Sequence, residues 1–106
     1  MSNNFNDSQV SLTNANLTDI FTASNKSLVI AGTISNTGGT AINVALKKFD
    51  NSANAGKFIF KDLPLPVGSS IELPKIVLQS SDKIQAQSDN SSGNADVHLQ
   101  LLTEVS

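Results

Sequence analysis

The chain has 106 residues and a mass of 11.1 kDa, enough for one compact domain and too little for two well-packed ones. Its net charge is -2, it has no arginine, and only 15% of its residues are charged. That balance excludes the basic footprint of a nucleic-acid binder and docking on an anionic membrane surface. The absence of cysteine removes disulfides, cysteine metal sites and thiol nucleophiles, and a single histidine removes a histidine-rich zinc site. No metal and no cofactor is therefore expected.

Fifteen serines, 12 asparagines and 7 threonines dominate the polar content. These side chains compete with the helical backbone for hydrogen bonds and favour turns. No helical period extends over ten residues, and the longest apolar run, Leu28 to Ala31, is far too short to cross a bilayer. The opening residues lack the basic and apolar segments of a secretory signal.

Residues 1–9 are polar and aperiodic and predict a flexible arm, followed by one domain over residues 10–106. Val10 and Leu12 alternate with polar neighbours and predict a first short strand. A less regular extended piece covers residues 17–22. Residues 27–35 read S-L-V-I-A-G-T-I-S. Strict alternation there puts Leu28, Ile30 and Ile34 on one face and Val29, Ala31 and Thr33 on the other. Gly32 marks a bulge or a close backbone approach. The turn-rich N-T-G-G-T at 36–40 leads into a clean alternation with Ile42, Val44 and Leu46 inward. The two segments read as a hairpin with a longer loop.

Residues 50–56 form a loop by composition. In K-F-I-F-K-D, alternation sends Phe58 and Phe60 inward and Lys57 and Lys61 outward. Pro64 and Pro66 exclude a central strand. Residues 70–73 and 76–78 flank Pro74, at an edge or a bend. After a turn at 80–82, residues 83–87 form another strand, and 89–94 read as a solvated hairpin loop. Val97, Leu99 and Leu101 define the last strand, with His98 on its exposed side. About eight short strands with turn signals every 8–12 residues predict an all-β antiparallel β-sandwich of jelly-roll type.

No constellation of residues carries a catalytic signature. Asp50, Ser52 and Asn54 are spaced like calcium ligands, but the glycine comes one residue late and Lys61 stands where a carboxylate is required. Nine carboxylates are present without a recognisable pairing, so no enzymatic activity is expected. The aromatic residues are five phenylalanines, which lack the polar tip of the tryptophan and tyrosine platforms that stack on sugars. Binding to a partner protein is then the expectation. Two surfaces stand out. One is the arm, with Phe5 as an apolar anchor and Val10 at its base. The other is the sandwich end built by Asn36 and Thr37 in one loop and Asp89 and Asn90 in another.

Two runs resemble a known group. L-V-I-A-G-T-I-S-N-T-G-G-T-A-I-N-V-A-L (residues 28–46) and L-P-V-G-S-S-I-E-L-P-K-I-V-L-Q-S-S-D-K-I-Q-A (residues 65–86) are similar to small β-sandwich structural proteins of tailed bacteriophages. The similarity extends over most of residues 17–104. It departs at Ser81, where the pattern has glycine. The resemblance implies a non-enzymatic virion component in many copies or as a homo-oligomer, made in the bacterial host cytoplasm and bound to other virion proteins. Capsid decoration, on the major capsid protein, is the first role it implies. A neck, tail or fibre-associated protein is the alternative. A glycan-binding module for the host surface is the alternative of another class. An arm of about nine residues would reach roughly 30 Å, across a neighbouring subunit.

Overall fold

The computed structural model describes residues 4–103; the first three residues of the expected arm lie outside them. Nine strands follow in order: β1 (Asn4–Leu12), β2 (Thr18–Thr22), β3 (Ser27–Asn36), β4 (Ile42–Asp50), β5 (Ala55–Leu65), β6 (Ser70–Glu72), β7 (Ile76–Leu78), β8 (Lys83–Ser88) and β9 (Ala95–Thr103). They form two antiparallel sheets. The first has the order β1-β9-β3-β6, with β7 also on β3, and the second has the order β2-β8-β4-β5. The strands pair as a nested series, β1 with β9, β2 with β8, β3 with β6 and β7, and β4 with β5. A long hairpin rolled up in this way is a jelly roll. β6 and β7 occupy one position, interrupted at Pro74, so eight positions hold nine strands.

The rolled topology corrects two readings. The 36–41 and 89–94 loops do not close hairpins. β3 and β9 lie in one sheet, β4 and β8 in the other, and each loop crosses between sheets. The same turn residues serve either connection, so composition cannot distinguish them. The expected arm is also corrected over residues 4–9. These residues pair with β9 from Asn4↔Thr103 to Gln9↔His98, and so extend the strand expected at Val10 and Leu12. The partner strand lies at the far end of the sequence, where no local pattern announces it.

The core lies between the sheets. Ile34, Leu46, Leu78, Ile84, Leu99 and Leu101 are fully buried there. Alternation holds in β4, where Ile42, Val44 and Leu46 face inward, and in β9, where Val97, Leu99 and Leu101 do. It fails in β3. The β3–β9 register slips between Val29 and Ala31, so β3 spends three residues from Leu28 to Ala31 while β9 spends two from Leu102 to Gln100. This bulge reverses the pleat, so that Val29 and Ile34 both face the core and Leu28 faces out. Gly32, just past it, is the close approach: a methyl there would come within 2.8 Å of the His98 carbonyl oxygen.

β5 departs from alternation as well. Its pairing with β4 slips on either side of Leu46. Phe60 stays half-buried against the core, while Phe58 turns outward and is 39% exposed. Two ammonium groups, Lys47 Nζ and Lys61 Nζ, cover the Phe58 ring at 5.2 and 5.1 Å from its centroid. β5 is an edge strand, where Pro64 removes no ladder bond and lysines discourage pairing with foreign strands.

Asp82 closes one end of the sandwich. Its carboxylate is buried, and it accepts hydrogen bonds from Asn51 N and Gln79 N, each at 3.0 Å. Lys48 Nζ lies 4.0 Å from Oδ2. The Asp82 carbonyl accepts from Ala23 N at 2.9 Å, and Ser81 N returns a bond of 2.6 Å to Ala23 O. Three connections, β2–β3, β4–β5 and β7–β8, are thereby held at one point. Ser81 has φ of 73°, the left-handed region, at the position where the phage-protein pattern carries glycine.

Two outcomes follow for equilibrium unfolding in urea. D82A removes the acceptor of two part-buried N–H groups and lowers stability by about 1–3 kcal/mol, a Tm fall of roughly 10 °C. S81G relieves the left-handed strain and raises stability by about 0.5–1 kcal/mol.

Candidate interaction surfaces

The residues singled out in the sequence fall into two groups. Asn36, Thr37, Asp89 and Asn90 do converge on one end of the sandwich, together with the β1–β2 and β5–β6 connections. Their polar groups, however, are largely turned on their own loops. Asn36 is buried; its amide nitrogen donates to Thr40 O at 2.9 Å and Leu65 O at 3.0 Å, and its Oδ1 accepts from Gly38 N at 2.9 Å. Its backbone N–H donates to Ser69 O at 2.9 Å. Asn36, expected at a partner contact, clamps segments of its own domain with these bonds. Thr37 is exposed, and its N–H donates to Asn94 O at 2.9 Å.

Asp89 Oδ1 accepts from Asn43 N at 2.9 Å, and Asp89 N donates to Asn43 O at 3.0 Å. Asn90 caps its own turn, its Oδ1 accepting from Ser92 N and its carbonyl from Gly93 N, both at 2.8 Å. Gly93, at φ 75°, lies so close to the Leu12 backbone that no side chain fits. The side chains left facing solvent at this end are short and uncharged, apart from the Asp89 carboxylate.

Phe5 and Val10 part company. Val10 is half-buried and packs against the core from β1. Phe5 is 79% exposed on the outer face of the first sheet. Register places it opposite Leu102, Leu102 opposite Leu28, and Leu28 opposite Val77. These four residues form an apolar row across β1, β9, β3 and β7. Val77 is 49% exposed, and Leu28 and Leu102 are half-buried. Sequence reading singled out Phe5 alone. The rest of the row depends on long-range register and on the β3 bulge, neither of which a local pattern reveals.

The remaining candidates are quieter. His98 is exposed on the same outer face, between Gln9 and Thr33. In the calcium-like loop, Asp50 Oδ1 accepts from Ser52 Oγ at 2.8 Å, Ser52 N at 3.0 Å and Ala53 N at 3.4 Å. These bonds, that from the Ser52 hydroxyl foremost, hold the Asp50 carboxyl below its usual pKa. Among the described residues, no group of three or more histidine and carboxylate side chains is placed to hold a metal ion.

No protein-family model matches the chain, and no curated protein does. Two solved structures are similar in fold. One, described as a protein of Bacillus endospore appendages that form disulfide-linked pili, has a TM-score of 0.56 at 11% identity, covering 99% of this chain and 88% of that one. The other, a pentameric capsid protein from metagenomic phage sequences, has a TM-score of 0.48 at 20% identity; 94% of this chain spans 62% of it, under two thirds of its length. The first likeness is one of fold alone. The 106 residues contain no cysteine, so disulfides cannot join copies through them.

The contrast between clamp and row is measurable by thermal unfolding. N36A loses three hydrogen bonds and about 2–3 kcal/mol, whereas F5A changes stability by less than about 0.5 kcal/mol.

Proposed function

We propose that the chain is a non-catalytic structural subunit of a tailed-phage particle, and that it decorates the capsid. The observation that carries this reading is the apolar row of Phe5, Leu102, Leu28 and Val77, displayed on a domain whose loop ends are tied down by their own hydrogen bonds. A contiguous apolar strip across a sheet face marks a protein contact. Sheet-borne side chains are also held more rigidly than loop-borne ones, which favours lasting assembly over transient capture. The sequence resemblance to virion proteins supplies the phage setting. The low surface charge fits a partner chosen by shape and apolar contact rather than by electrostatic steering.

The arm enters this reading in altered form. Deleting residues 2–9 would remove six of the nine residues of β1 and their pairing with β9, so loss of assembly in that variant would not isolate an arm contact. Labelling of intact particles tests the proposal directly. Immunogold on purified virions is expected to spread over the head. Label confined to one vertex or to the tail overturns decoration in favour of a neck or tail component. No label, with the protein also missing from virion mass spectrometry, overturns the virion reading.

A further inference from the structure

The outer face of the first sheet carries more than an apolar row. Register extends it into four parallel rows, each running from β1 through β9 and β3 to β6 or β7. The first is Phe5, Leu102, Leu28, Val77. The second is Asp7, Gln100 and Ala31, with Lys75 beside Ala31 and Gln100 where the chain passes from β6 to β7. The third is Gln9, His98, Thr33, Glu72, and the fourth is Ser11, Asp96, Ser35, Ser70. An acid therefore stands at the β1 edge of the second row and a lysine at its opposite edge. In the third row the acid has moved to the β6 edge, across from a glutamine.

We propose that this face is a twofold self-association surface whose occupant is a second copy of the chain. The rotation axis lies between the two faces and runs along the strands. Such a rotation keeps each row opposite itself and reverses its order. Phe5 then meets the partner's Val77, and Leu102 meets the partner's Leu28, so the apolar row is buried against itself. Asp7 meets the partner's Lys75, and the symmetry makes this ion pair twice. Gln9 meets the partner's Glu72, His98 meets the partner's Thr33, and Ser11 meets the partner's Ser70. No like charges oppose. A rotation about an axis across the strands would bury the apolar row alone and leave Asp7 and Lys75 unmatched.

The size is sufficient. Four strands about 4.8 Å apart carrying four rows about 6.8 Å apart give a face of roughly 500 Å² in projection. Covering that face on both copies buries about 1,000 Å², the lower bound for a specific interface. Sheets pack face to face with strands within about 30° of each other, which keeps the rows in register across a patch this small. The other exposed aromatic, Phe58, is already covered by the Lys47 and Lys61 ammonium groups and offers no comparable strip.

The proposal deepens the structural-subunit reading and rests on it in taking the row as a contact surface. Its test is independent of the particle: sedimentation equilibrium of the purified chain over a concentration series, with D7K, K75D and the double variant D7K/K75D. Asp7 and Lys75 are exposed, so each variant folds. The unsubstituted chain is expected to dimerise. Each single substitution sets like charges opposite each other twice and raises Kd by about tenfold or more; the double variant restores it to within about threefold. A monomer at every concentration, or an oligomer whose Kd the single substitutions leave unchanged, overturns the proposal. Monomer together with gold on virions refutes the dimer and leaves the virion reading standing. A swap-sensitive dimer absent from virions does the reverse.

Discussion

The bulge at Val29 and Ile30 sets both faces of the first sheet. β3 is the strand that touches β9, β6 and β7, so its pleat is shared by all of them. Without the extra residue, Val29 and Ile34 could not both reach the core, because five positions separate them and a regular strand alternates every residue. The core would lose one of two fully buried side chains. The outer face would lose its order too, since Leu28 lines up with Leu102 while Thr33 lines up with His98 only because β3 spends the extra residue between them. One irregularity therefore serves packing on the inside and patterning on the outside.

The two ends of the sandwich are solved differently. One uses a charge: the buried Asp82 carboxylate gathers backbone N–H groups from two connections, and its own carbonyl reaches a third. The other uses a neutral amide, Asn36, in the same capacity. In both cases a short polar side chain substitutes for missing ladder bonds, as a buried backbone requires. The abundance of serine and asparagine thus reflects closure of the fold as well as coverage of its surface.

Much of this was legible in the sequence. Alternation identified the inward residues of β4 and β9, proline excluded a central strand at residues 63–66, and turn spacing gave the β-sandwich; the crossing between sheets expected over residues 63–68 begins only after Leu65, where β5 ends. Ser81 was visible as a departure from a glycine pattern, and its positive φ gives that departure a physical meaning. Three things were not legible. Sheet membership was hidden, because a loop such as 36–41 has the same composition whether it turns back or crosses over. The β3 and β5 faces were misread, because a bulge changes parity without changing residue type. The start of β1 was read as an arm, because its regularity is supplied by β9, about ninety residues away in the chain. The candidate surface inherits these limits: a local reading finds Phe5, and only register finds its companions.

The pairing of β1 with β9 also bears on timing. The first strand described and the last lie side by side, and β3 is flanked by β9 as well. While the chain is being synthesised, the middle strand of the first sheet is missing until β9 leaves the ribosome. The apolar row has one member on β9 and two on its neighbours, so the strip does not exist as a surface before that moment. A nascent chain therefore cannot present this strip until β9 has emerged and paired with β1 and β3. Topologies with such distant pairings fold slowly, so the strip is among the last surfaces of the domain to form.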